Sequence, residues 1–254
     1  MILELKNVGL SFQESSGPIL QSINLKVQEG EFLAIIGCNG SGKSSLMKII
    51  SGEYCQTNGQ VLINSKSIED KVRNAMISHL TQDISISTIG NMTVLENIVL
   101  CMIKDQNATF NTYNQYTEAI TKALASMNTG IEKFISQSMS SLSGGQRQMI
   151  ATFMSLTSCK KIILLDEHTS ALDPKTQKIL MEYTSKLIKE KKLTALMVTH
   201  KLDDAIKYGD RILMLHKGQI VEDFNSSSKA RLTTDKLLTL FHKYEDQTLR
   251  AEND

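Results

Sequence analysis

No stretch of this sequence approaches the roughly 18 uninterrupted apolar residues of a membrane-spanning helix. Purely apolar runs such as Phe32-Leu33-Ala34-Ile35-Ile36 and Ile162-Ile163-Leu164-Leu165 have the length of strands. Missing too is a basic excess: 28 Lys+Arg stand against 27 Asp+Glu, a formal charge of +1, which argues against a general nucleic-acid binder. Cysteine is sparse, and Cys38, Cys55, Cys101 and Cys159 have neither metal-ligand nor redox-pair spacing, so reduced cytosolic thiols are expected. Glu4 and Lys6 stand where a signal peptide would need its apolar segment, so secretion is not expected. What is present is ordinary for a soluble globular protein: 254 residues, 41% hydrophobic and 22% charged. That length allows one large domain or two small ones and buries roughly 70–75% of the unfolded surface without staples.

Apolar runs bounded by turn residues alternate with helical patterns, the signature of an α/β domain. Residues 2–5 and 23–27 alternate like half-buried strands, whereas 32–36 is the continuous run of a central strand covered on both faces. Strands are also expected at 61–63, 77–80, 161–165, 194–198 and 211–215, with helices at 44–50, 174–191 and 202–207 and a turn at Lys217-Gly218. From about 91 to 158 the pattern is helical, with an exposed polar loop at 104–113. This reads as a helical subdomain inserted into the α/β core. A short amphipathic helix is expected at 234–244, with Leu237, Leu238, Phe241 and Tyr244 on one face.

Gly37-Cys38-Asn39-Gly40-Ser41-Gly42-Lys43-Ser44 satisfies G-x-x-x-x-G-K-[ST] in full, between an expected strand and an expected helix. Glycines let consecutive amides converge on an anion at a helix N-terminus. A lysine at position 43 can reach the β- and γ-phosphates, and the Ser44 hydroxyl can ligate Mg²⁺. The apolar run 162–165 ends in Asp166-Glu167, at the carboxyl end of a strand, where ligands of parallel sheets bind. There Asp166 suits Mg²⁺, and Glu167 suits the polarising of an attacking water. Between the glycine-rich loop and this strand, Leu142-Ser143-Gly144-Gly145-Gln146 opens a helix and offers a second set of exposed amides.

With the Leu-Ser-Gly-Gly-Gln motif lying between the phosphate cradle and the Asp-Glu strand, the chain resembles the nucleotide-binding subunit of ATP-binding-cassette (ABC) transporters over about residues 1–224. The resemblance implies a P-loop NTPase (RecA-like) α/β core, 1–90 and 159–224, with an N-terminal antiparallel β subdomain. It also implies the inserted helical subdomain 91–158, with 225–254 as a C-terminal tail carrying a short helix. It implies ATP and Mg²⁺, with Phe12 stacking on adenine and Gly37, Asn39, Gly40, Ser41, Gly42, Lys43, Ser44 and Ser45 around the phosphates. Ser44, Gln82 and Asp166 would attend the metal, and Glu167, His200 and Lys43 would be catalytic. Because one chain has one cradle and one Leu-Ser-Gly-Gly-Gln, the resemblance implies a head-to-tail homodimer. Ser143, Gly144, Gly145, Gln146 and Asp173 of one copy would then meet the nucleotide of the other.

The implied partners are a second copy, an integral membrane permease and, indirectly, a substrate-binding lipoprotein, but no nucleic acid; the implied location is the cytoplasmic face of the membrane. Two residues depart from the family's usual pattern. His168 stands where Asp-Glu-Pro-Thr has proline, and Met149 where a basic residue often follows Gln-Arg-Gln. The form Asp-Glu-His-Thr-Ser-Ala-Leu-Asp-Pro resembles a branch serving bacterial uptake, some of it of aromatic amino acids. The competing expectation is a soluble ATPase of this fold acting in assembly, of the Fe–S type.

Overall fold

The computed structural model describes residues 1–12, 17–81, 83, 87–103, 112–159, 161–229 and 231–251. Their strands form two sheets. Strands β1 (Leu3–Leu10), β2 (Leu20–Val27), β4 (Asn58–Ile63) and β5 (Lys66–Ser67) make an antiparallel sheet in the order β2-β1-β4-β5. Strands β3 (Phe32–Ile36), β6 (Ile77–Leu80), β7 (Ile162–Asp166), β8 (Thr194–Val198), β9 (Arg211–His216) and β10 (Gln219–Phe224) make the second, in the order β10-β9-β3-β8-β7-β6. Its first five members in the chain run parallel, and β10 turns back antiparallel to β9.

The continuous apolar runs are the central strands: β3, β7 and β8 are buried at every position. One face of the parallel sheet packs α1 (Lys43–Ser51) and the antiparallel sheet around Leu5, Ile23, Leu25, Leu33, Ile35 and Leu46. The other face carries α6 (Pro174–Glu190) and α7 (Leu202–Tyr208) over Ala34, Ile36, Met181, Met197 and Leu202. A third core, with Leu95, Ile98, Leu124, Ile150 and Phe153, joins α3 (Val94–Ile103), α4 (Thr112–Ala125) and α5 (Gly144–Ser158). The loop expected at 104–113 lies largely outside the described residues.

Among the described residues, β5, the seven-residue α2 (Asp70–Met76), β10 and a four-residue helix after β10 were not legible in the sequence. They are too short or too polar to show a clean period. Beyond α8 (Ser226–Lys229), helix α9 (Thr234–Ala251) runs past the expected 244. Its buried stripe is also shifted from the expected one. Leu237 is fully buried and Leu240, Phe241 and Tyr244 pack beside it, whereas Leu238 is 43% exposed. Position 238 lies about 100° around the helix from 237, off the i, i+3/i+4, i+7 stripe. Among the described residues no helix is long and apolar enough to cross a membrane, and none of the four cysteines is in a disulfide.

Candidate nucleotide site

The phosphate loop joins β3 to α1. Gly42 is the N-cap of α1 at φ 100°, and a Cβ there would lie 2.8 Å from Leu20 Cδ2 and 3.1 Å from the Ile19 carbonyl oxygen. Glycine is therefore required both by the dihedral and by the closeness of β2. The turn at Lys217-Gly218 joins β9 to β10 and braces this loop: the Gly218 N–H donates to the Ser41 carbonyl at 3.0 Å, and Gln21 N–H to the Gly218 carbonyl at 2.8 Å. A loop held from two sides presents its amides without having to be ordered by the ligand.

Lys43 is buried, and its ammonium donates to the Gly37 and Cys38 carbonyls at 2.8 and 2.9 Å. Burial lowers its pKa, opposed by the negative surroundings of Glu167, Cys38 and Asp166. Asp166 ends β7 and is buried. Desolvation raises its pKa, while a hydrogen bond from the Ser44 hydroxyl and the nearby His79 lower it. Its Oδ1 is buried with no hydrogen-bond partner. His79 in turn holds Glu53 at 2.5 Å through Nδ1.

Sheet register explains the next pair. Asp166 lies opposite Val198, so the residues that follow each strand leave the sheet side by side at its carboxyl edge. Glu167 adopts φ 49°, an uncommon left-handed conformation for a side-chain-bearing residue, and its N–H donates to the Val198 carbonyl. The turn aims its carboxylate at His200, whose Nε2 lies 2.8 Å from Oε1. Both side chains reach solvent, at 22% and 43% exposure, so they are accessible to a ligand on the loop. A carboxylate within hydrogen-bond reach of an imidazole, beside an anion cradle, can accept a proton from water.

Phe12 is 45% exposed and meets Tyr54 edge to face at 5.5 Å, while the Lys48 ammonium sits 4.9 Å over the Tyr54 ring. Gln82 lies outside the described residues. Ser143 caps α5 in a capping box: its Oγ accepts from Gln146 N–H at 3.3 Å, and its own N–H donates to Gln146 Oε1 at 2.9 Å. The Ser143 amide is thereby occupied, whereas the Gly144 and Gly145 amides open the helix without partners inside it. A Cβ on Gly145 would press on Leu172 Cδ2 at 2.9 Å, so this glycine also lets the segment lie against the loop before α6. Asp173 caps α6, its Oδ1 accepting from Lys175 and Thr176 N–H at 3.1 Å each; hydrogen bonds from the Thr176 side chain and backbone, and then from Lys175, hold its pKa down.

The profile of the ABC transporter family matches residues 20–170, more than half of the chain. A tyrosine transport ATP-binding protein of Clostridioides difficile is 38% identical over 247 residues, covering 94% of this chain and 98% of that relative. The chain belongs to the ABC transporter family. A phosphonates import ATP-binding protein of Treponema denticola is 33% identical, over 88% of this ABC chain and 89% of its own length. Among solved structures, a dimeric ATP-binding cassette in a post-hydrolysis state bound to ADP and Pi superposes with a TM-score of 0.76. It is 29% identical and covers 89% of this chain and 99% of its own. The protein is an ABC ATPase.

Motif reading alone did not single out Tyr54, His79, Gln177 or Lys201 in this ATPase. No spacing rule marks residues that reach the site through their neighbours. His168, in the place usual for proline, is 1% exposed, and its Nε2 has no hydrogen-bond partner. Burial pushes its pKa down to about 4, whereas an unfolded chain titrates near 6.5. Protonation therefore favours the unfolded state. The stability linked to His168 is complete above about pH 6.5 and is lost as the pH falls toward 4, up to about 3 kcal/mol. In His168→Leu the loss of thermal stability between about pH 7.5 and about pH 5 is expected to shrink by about 2 kcal/mol. Equal acid slopes in the two proteins would remove His168 from this role.

Proposed function

We propose that this ABC ATPase is the ATP-hydrolysing subunit of a bacterial importer, driving a separate membrane permease that carries an aromatic amino acid such as tyrosine. The observation that carries this reading is the nearly end-to-end match with a tyrosine transport ATP-binding protein. In this reading residues 1–224 are one cassette, with core 1–90 and 159–224, helical subdomain 91–158 and the tail 225–254. The cassette works at the cytoplasmic face of the membrane, and a substrate-binding lipoprotein delivers the solute to the permease.

ATP lies with its base on Phe12 and its phosphates on Gly37, Asn39, Gly40, Ser41, Gly42, Lys43, Ser44 and Ser45. The unpartnered Asp166 Oδ1 and the adjacent Ser44 hydroxyl are the hard oxygen donors that Mg²⁺ prefers. Those two residues, with Gln82, would hold the ion, which when bound offsets phosphate charge. Glu167 Oε1 takes the proton of the attacking water, and His200 Nε2, 2.8 Å away, orients that carboxylate and faces the γ-phosphate. Lys43 exchanges its two carbonyl partners for phosphate oxygens and stabilises the charge that develops on them. Ser143, Gly144, Gly145 and Gln146 of a second copy close the site from the other side, with Asp173 at the junction. The closed, isologous dimer then opens once the γ-phosphate has left.

Uptake decides the reading. In the source bacterium lacking this gene, uptake of labelled tyrosine is expected to be lost and to return with the wild-type gene but not with Glu167→Gln. A tagged cassette should retain a multi-span protein from detergent-solubilised membranes. Undiminished tyrosine uptake together with co-purification of soluble assembly proteins alone would favour the assembly ATPase instead.

A further inference from the structure

Two chain segments carry the hydrolytic pair, 167–169 and 199–201, and they touch in front through Glu167 and His200. Behind that contact runs a second bridge. Gln177, on the first turns of α6, is 6% exposed; its Nε2 donates to Thr169 Oγ1 at 2.9 Å, and its Oε1 accepts from the Lys201 ammonium. Thr169 follows Glu167 by two residues, and Lys201 follows His200 directly. We propose that Gln177 and Lys201 are positioning residues of the ATPase, a Thr169–Gln177–Lys201 strut centred on the buried Gln177 that keeps Glu167 and His200 at their working separation. The proposal rests on the assignment of Glu167 and His200 to hydrolysis.

Three features argue that the strut has this duty. First, a buried carboxamide costs free energy unless it is hydrogen-bonded, and both ends of Gln177 are satisfied by these two segments and by nothing local to α6. Second, Lys201 occupies the N-cap of α7, where a positive charge opposes the helix dipole and no side-chain cap is made. The Lys201 N–H is turned onto Thr199 Oγ1 at 3.0 Å, and its ammonium donates to Gln177 Oε1. Third, Glu167 sits at φ 49°, a conformation that persists only where its surroundings hold it. The intervening His168 offers no tie through Nε2, so Thr169 is the anchored side chain of that turn. Because α6 is capped by Asp173, the same strut links the pair to the loop expected at the dimer junction.

The test is steady-state ATP hydrolysis by the full chain, with kcat and KM resolved and thermal midpoints measured alongside. Gln177→Leu and Lys201→Met are each expected to lower kcat roughly 10-fold or more with KM within about 2-fold, since small misplacements of reacting groups are costly in rate. Gln177→Glu should recover kcat to within about 3-fold, because a carboxylate accepts from both the Lys201 ammonium and the Thr169 hydroxyl. Lys201 is exposed, so its variant keeps the test open should Gln177→Leu fold poorly. In a Glu167→Gln background the Gln177→Leu loss should largely vanish, since residues acting as one unit are not additive. Unchanged kcat in folded Gln177→Leu and Lys201→Met, a Gln177→Glu variant no better than Gln177→Leu, or losses fully additive with Glu167→Gln would each overturn the strut. Undiminished turnover in Glu167→Gln alone would instead show that the assignment beneath it is wrong.

Discussion

Replacing Glu167 by glutamine is expected to leave ATP binding intact and to lower turnover by roughly 10²–10⁴-fold, about 3–5 kcal/mol of barrier. The substitution is nearly isosteric, and its carbonyl oxygen can still accept from the His200 imidazole 2.8 Å away, so the turn at φ 49° keeps its partner. What disappears is the carboxylate that, in the proposed mechanism, receives a proton from water. Neither Asp166, raised by burial and bonded by the Ser44 hydroxyl, nor His200 stands in the same place. Binding without hydrolysis has a second consequence. With saturating ATP, Glu167→Gln should migrate as a dimer on size exclusion and return to monomer when ATP is removed. Wild-type steady-state hydrolysis in this variant would remove Glu167 from its role, and a monomer at saturating ATP would count against the head-to-tail arrangement.

Lys43→Met is expected to weaken ATP binding by roughly 10²–10³-fold, since each lost hydrogen bond to a charged group is worth about 1.5–3 kcal/mol. Methionine keeps the length and the apolar stem but has no donor. Its effect on the fold runs the other way. The ammonium is desolvated among carbonyls, as the burial-lowered pKa shows, so removing that charge should leave the thermal midpoint of the ligand-free protein unchanged or raised. This opposition separates a binding residue from a structural one: weaker binding with an undiminished midpoint. Titration with a fluorescent ATP analogue gives the affinity, and one within about 3-fold of wild type would show that the loop amides hold the phosphates without Lys43.

Much of this molecule was legible residue by residue. The continuous runs at 32–36 and 162–165 are central strands because only a strand covered on both faces needs apolar residues at consecutive positions. The phosphate loop reads directly because its chemistry is local: amides, glycines and one lysine within eight residues make an anion site wherever a helix follows. Short elements escaped for the converse reason, since β5 and α2 exist through what they pack against rather than through a period of their own. In α9 the periodicity announced a buried stripe, but which leucine enters the core depends on the angle at which the helix meets α7 and the sheet; it is Leu237 and not Leu238.

The sequence by itself therefore determined the fold class, the phosphate cradle and the carboxylates available for chemistry, because these depend on near neighbours and on hydrophobic period. Only the tertiary structure decided how those groups meet. The register of Asp166 on Val198 brings Glu167 to His200 across 33 residues of chain. The packing of α6 lets Gln177 reach Thr169 and Lys201 at once. Such contacts follow from where separate strands end in space, and no local pattern encodes that.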